Sequence, residues 1–150
     1  MLVLSLILIL LSFLQAVFLP WQIVLLVLIN RSLIKEDTAN LYLAFGLGLL
    51  ASFLDRFPLG LLSILYLSMV LAIYLLKKTN ISNQIYIIFP VAFVALILDQ
   101  LARTLQSGAK LSLDINSILF QLVLVLPIYI LVRFWEERFT PKKDVKLKIR

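Results

Sequence analysis

Asp99 and Arg103 stand four residues apart in an apolar run, on the helical face that also carries Ala92 and Ala95. At that spacing a carboxylate and a guanidinium can pair along a helix. An ionisable side chain within a membrane span is costly unless it faces protein or water. Two readings follow. The pair lies near the outer surface with Arg103 reaching for the headgroups, or it is buried and functional. A proton relay would need a histidine or a second deep carboxylate, and neither is offered. Asp55 and Arg56 form a second charged pair, expected to solvate the tip of a helical hairpin. Gln15, Asn116 and Gln121 are polar positions in apolar runs; hydrogen bonds of this kind between spans average ~0.6 kcal/mol and act as modest glue. Asn116 follows Asp114, a good N-cap type, so it equally suits a helix start.

The chemistry that is missing is as informative. The chain has no histidine and no cysteine. Disulfides, thiolate nucleophiles, imidazole bases and the usual zinc or haem ligands are therefore excluded. No phosphate-binding glycine loop, metalloprotease helix or glycosidase-like carboxylate pair is present. The expectation is a protein with no catalytic residue, metal or cofactor.

What the chain does carry is a packing motif. Ala44, Gly48 and Ser52 recur every four residues in one apolar run. The break Asp55-Arg56-Phe57-Pro58 follows, and Gly60 opens the next run, which closes on Lys77 and Lys78. This reads as a helical hairpin with one wall of small residues. Lipid gives no hydrophobic drive between helices, so close approach and dispersion must hold them together, and small residues permit that approach. The stripe packs against another span of the same chain or receives a partner's single transmembrane helix. The stripe and the hairpin from Asp55 through Arg56 and Pro58 to Gly60 are taken as the expected docking region.

Composition says where these elements sit. Of 150 residues 63% are hydrophobic, and the mean hydropathy is +1.08. A soluble domain is about half apolar, and one this small leaves much of its surface in water. The solvent is therefore mostly lipid. A span needs about 20 residues. Six are placed near 2–19, 21–34, 40–54, 59–76, 85–105 and 115–135. Spans two and three cannot fuse, because Arg31, Lys35, Glu36 and Asp37 would enter lipid at ~2.5–3.5 kcal/mol each. A five-span arrangement with 21–34 re-entrant is the competitor. The first run lacks a basic leader and a small-x-small cleavage site, so it is read as a retained helix. Pro127 is expected to kink span six. The fold class is thus an all-α integral membrane protein, a compact bundle of about six transmembrane helices over 1–135 with a basic tail over 136–150.

Lysine and arginine set the direction. Eleven fall on one side of the six-span arrangement and three (Arg56, Arg103, Lys110) on the other, so both termini are expected in the cytoplasm. Trp21 then marks the outer interface and Trp135 the inner one. The net charge of +6 resides in loops and tail, which favours anionic lipid over nucleic acid.

The order and spacing of these motifs resemble the MreD family, integral-membrane rod-shape-determining proteins of bacteria. Gln15 with Leu19-Pro20 looks like the end of the family's first span. Gly48 followed by Pro58-Leu59-Gly60 looks like its hairpin. Asp99, then Asn116, Pro127 and Arg133, continue the likeness. The hairpin's usual Asp falls at Ser52 and its usual glycine at Asp55. The resemblance implies a non-catalytic scaffold of the cell-elongation complex in the bacterial cytoplasmic membrane. It would bind the bitopic protein MreC. Through MreC, or directly, it would connect MreB filaments with the enzymes that elongate peptidoglycan. It also implies a fold like the substrate-binding S component of energy-coupling-factor vitamin transporters, which is the alternative function. Span one has Ala16 alone where an S component commonly carries a spaced alanine pair, and the outer loops are short.

Overall fold

The computed structural model describes residues 2–18, 21–78, 85–107 and 114–139. Among them are six α-helices: α1 (Leu2–Phe18), α2 (Ile23–Ile34), α3 (Thr38–Leu54), α4 (Leu61–Lys78), α5 (Ile88–Ser107) and α6 (Ile115–Phe139). A 3-10 turn, Ile85–Ile87, leads into α5. The helices α4, α5 and α6 are long and apolar enough to cross a membrane; α1, α2 and α3 are shorter. The Leu19-Pro20 turn, Lys110 and the tail beyond Phe139 lie outside the described residues.

The boundaries have local causes. Lys35 is extended, which ends α2. Asp37 then caps α3, accepting a hydrogen bond from the Ala39 amide at 3.2 Å. That amide holds the Asp37 carboxyl below its usual value of 3.8, helped by Lys35 and Arg31 and opposed by partial burial. At the other end of α3 the Phe57 amide donates to the Ser52 carbonyl at 2.8 Å and the Arg56 amide to Phe53 at 3.4 Å. This is a Schellman ending. Its left-handed position is filled by Arg56 (φ 57°), not by glycine. Gly60 (φ 101°) makes the second bend before α4. Asp114 caps α6, as its residue type suggests, accepting from Ser117 N at 3.3 Å. Pro90 sits in the first turn of α5, where its missing N–H has no partner to lose. Helix α6 runs through Pro127 and continues past the expected tail boundary to Phe139.

Helix α2 is the axle of the bundle. Eight of its twelve residues are buried, Val24, Leu25, Leu26 and Leu28 through Ser32. A helix that is apolar all round must be covered all round. Leu25, Leu28 and Ile29 pack with Ala44 of α3, Tyr66, Met69, Val70 and Ile73 of α4, and Ala95 of α5. Leu26 packs with Ile88, Ala92 and Leu96 of α5 and with Ile118 and Val125 of α6. Val24 packs with Leu4 and Leu8 of α1 and Leu47 of α3, with Trp135 beside them. At 1.5 Å per residue, α2 is only ~18 Å long. Protein, not lipid, surrounds it, which removes the length problem.

The outside of the bundle is apolar. Val3, Leu6, Leu10, Val17 and Phe18 on α1 are exposed, as are Val123, Ile130, Leu131 and Phe134 on α6. Exposed apolar area on this scale marks a surface that meets something other than water. With three helices of spanning length, the chain is a membrane protein.

Candidate functional site

Polar side chains collect at the two ends of α2 and almost nowhere else inside the bundle. At its N-terminal end the centre is Arg103 of α5. Its Nε donates to Asp99 Oδ2 at 2.8 Å and its Nη2 to Gln22 Oε1 at 3.2 Å. Its Nη1 donates to Asp55 Oδ2, at the end of α3. The guanidinium carbon also lies 5.5 Å from the Phe57 ring centroid, within cation–π range.

Glutamines complete this end, and the reason is backbone chemistry. The first N–H groups of a helix lack internal partners, and no side chain of Gln22 caps α2. Gln15 Oε1 accepts from the Val24 amide at 3.0 Å, and Gln121 Oε1 from the Gln22 amide at 2.9 Å. Gln15 Nε2 also donates to Gln22 Oε1 at 2.8 Å. So Gln15 and Gln121 cap a helix start. Asn116 differs: it is exposed in the first turn of α6, in keeping with a helix-start role.

Two cavities flank Arg103. One of about 310 Å³ is lined by Ser12, Gln15, Gln22, Asp55, Tyr66 and Arg103, among others. The other, about 240 Å³, lies between α5 and α6 against Gln22, Asp99, Gln100, Asp114, Ser117 and Gln121. The Tyr66 hydroxyl, Ser52 Oγ, Asp99 Oδ1 and Gln100 Oε1 are buried without a hydrogen-bond partner among the described residues. Asp99 is 1% exposed, so its pair with Arg103 is buried at the carboxylate.

At the C-terminal end of α2 the centre is Arg31, also 1% exposed. Its Nε donates to Glu136 Oε1 of α6 at 2.8 Å, and its Nη1 to Asn40 Oδ1 of α3. Asn40 Nδ2 donates in turn to the Lys35 carbonyl at 2.7 Å and to Tyr74 Oη at 3.0 Å. The Tyr74 hydroxyl donates to the Asp37 carbonyl at 2.6 Å and accepts from the Asp37 amide at 3.2 Å. Sequence reasoning missed this network. Its signal was the run of polar residues from Asn30 to Asn40, too dense for a mere loop.

The docking expectation needs correction. Ala44 and Ser52 are fully buried, and Gly48 lies against the backbone of α4. A Cβ on Gly48 would sit 2.7 Å from Ser63 N, and Ser63 Oγ donates to the Phe45 carbonyl at 3.1 Å. The small stripe is therefore spent within the chain, where it brings α3 and α4 into backbone contact. Asp55 does not simply solvate the turn either, because it is tied to Arg103. Arg56 and Pro58 are exposed at the hairpin tip, with Gly60 partly so. An open apolar groove of about 370 Å³ lies elsewhere, between α4 and α5. Ile29 and Ile73 form its floor, with Ser68, Ala72 and Ala95 among its small residues. Leu76, Val94 and Leu98 are exposed at its rim.

Trp21 stacks on Phe120 near the N-terminal end of α2, while Trp135 packs near Leu4 toward the opposite end. Among the described residues no three His, Cys, Asp or Glu side chains are grouped to hold a metal ion. Comparison with family models, curated proteins and solved structures finds no match to this chain.

Proposed function

We propose that this is a six-span protein of the bacterial cytoplasmic membrane that acts as a non-catalytic scaffold of the cell-elongation complex. It binds MreC and helps couple MreB filaments and peptidoglycan-elongation enzymes to cell shape. Both termini face the cytoplasm. Support for the direction comes from the charges: Arg31, Lys35, Lys77, Lys78, Arg133 and Arg138 belong to one end of the bundle, Arg56 and Arg103 to the other. The basic tail meets anionic lipid.

The observation that carries the reading is the groove between α4 and α5. Its small residues let a helix approach closely, and its lining is almost wholly apolar. MreC's single membrane helix is the proposed occupant, with the exposed hairpin tip at Arg56 and Pro58 beside the segment that leaves the membrane. Ala72 is exposed in the groove, so Ala72→Trp fills it without disturbing the core.

The test is a mild-detergent pull-down from the native membrane with mass spectrometry of proteins and small molecules. MreC is recovered with the parent chain and lost with Ala72→Trp. Equal recovery with that variant would sink the groove assignment. The polar cavities around Arg103 favour a second reading, the S component of a vitamin transporter. A bound vitamin together with an ATPase module, and no MreC, would replace the scaffold with that transporter.

A further inference from the structure

Helix α6 carries a shallow groove that the scaffold reading does not use. It encloses about 420 Å³ and is lined by Leu126, Tyr129, Ile130, Arg133, Phe134 and Glu137. None of these residues lines the groove between α4 and α5. Leu126, Ile130 and Phe134 are exposed along it. Leu126 stands near the middle of α6, and Glu137 two residues before its end. At 1.5 Å per residue the stretch between them is ~16 Å long. Half of a ~30 Å hydrocarbon core is ~15 Å. The groove therefore has the length of one leaflet.

Its two ends differ in chemistry. The Leu126 end is apolar. The other end holds a cation and an anion: Arg133 Nε donates to Glu137 Oε1 at 2.9 Å. Pairs at this spacing are common on helices. Placement singles this one out, because it closes an apolar groove at the depth where headgroups begin. The two side chains are 54% and 65% exposed, so most of each charged group stays accessible beyond the bond they share. Tyr129, on the same wall, also interacts with Arg133. Arg138 borders the site, its guanidinium carbon 5.4 Å from the centroid of the Phe134 ring.

We propose that this groove binds a phospholipid with a phosphoethanolamine headgroup. One acyl chain lies along Leu126, Ile130 and Phe134. The phosphate accepts from Arg133, and the ammonium donates to Glu137. Charge-assisted hydrogen bonds of both kinds are stronger than neutral ones. A purely anionic headgroup answers the arginine and leaves the carboxylate unmatched. A phosphocholine headgroup has the same two charges but no N–H to donate.

The purified full chain is stripped of lipid in detergent. It is then titrated with dioleoyl phosphatidylethanolamine, phosphatidylcholine or phosphatidylglycerol, and retained lipid is read by native mass spectrometry. Phosphatidylethanolamine binds about fivefold more tightly than phosphatidylcholine, the scale of one exposed charge pair. Glu137→Gln abolishes that preference, and Arg133→Gln weakens binding of both lipids. Both positions are exposed, so neither variant threatens the fold. Equal binding of the two zwitterionic lipids, tighter binding of phosphatidylglycerol, or an unchanged preference in Glu137→Gln overturns the proposal. A second measurement exploits the lack of cysteine in the chain. Ile130→Cys carries a thiol-linked photoreactive probe in native membranes. An adduct with phosphatidylethanolamine supports the site; a protein adduct in its place puts a partner helix in the groove and overturns it. Recovery of MreC with Ala72→Trp reports on the other groove, so either idea can fail alone.

Discussion

The two ends of α2 solve one problem in opposite ways. Each holds a largely buried arginine. Around Arg31 the acceptors Glu136, Asn40, Tyr74 and the Lys35 and Asp37 carbonyls are all engaged, and one buried acceptor, Asn30 Oδ1, lacks a partner. Around Arg103 the arginine is as well held, but the surroundings are not: cavities lie on both sides, and four polar atoms nearby lack partners. A closed network rigidifies and joins helices. An open one of the same charge keeps unspent bonding capacity at a defined place. The comparison teaches that burial of charge does not by itself close a network; the packing around it does.

Breaking the closed end has the largest expected effect. Arg31→Leu takes away the closer cation of Glu136, leaving Lys35 at 3.8 Å, and strips Asn40 Oδ1 of its donor; it costs about 3 kcal/mol, read by denaturant unfolding in micelles. A loss under about 1 kcal/mol would erase the distinction between the ends. Midway between them, Gly48→Ala forces α3 from α4 and costs about 1–3 kcal/mol. A stripe that served only a partner would leave the isolated chain unchanged. At the open end Asp99→Asn costs less than Arg31→Leu, because Arg103 keeps Asp55 and Gln22. Equal losses in the same unfolding assay would make the two networks alike.

Two smaller effects sharpen the contrast at the loops. Arg56→Gly relieves a left-handed residue and stabilises by about 1 kcal/mol; a destabilised variant would show that the Arg56 side chain does more than cap the turn. Asp37 lies in the turn beside the closed end, and its carboxyl is held below 3.8 by the Ala39 amide first and then by Lys35 and Arg31. A depressed carboxylate contributes stability above its unfolded value and loses it as pH falls through the lower folded value. Asp37→Asn therefore flattens the acid limb of the stability profile below about pH 3.9, and an unchanged limb would assign that limb to other carboxylates.

Much of the fold was legible in the sequence, because lipid imposes a length on apolar runs that water does not. The runs near 59–76, 85–105 and 115–135 correspond to α4, α5 and α6. The Asp114 cap was legible because its chemistry is local. The occupant of the small stripe was not, since Ala44, Gly48 and Ser52 present the same face to a neighbour of either origin. Nor was the tie from Asp55 to Arg103, which spans 48 residues, or that from Arg31 to Glu136, which spans 105. Periodicity reports which face is apolar; it carries no information about which distant side chain will meet a charge. Helix α6 likewise continues through Glu136, which pairs with Arg31, to Phe139.

The capping of α2 also has a consequence for biogenesis. Helix α2 leaves the ribosome early, yet both its ends wait for α6: Gln121 for the Gln22 amide at one end, Glu136 for Arg31 at the other. Synthesis runs from the N-terminus, so for most of translation α2 carries an open Gln22 amide and a guanidinium held by Asn40 of α3 but not yet by the Glu136 carboxylate. The last helix is the keystone of the first half, and a nascent chain stalled before it would hold a span that the bilayer has reason to reject.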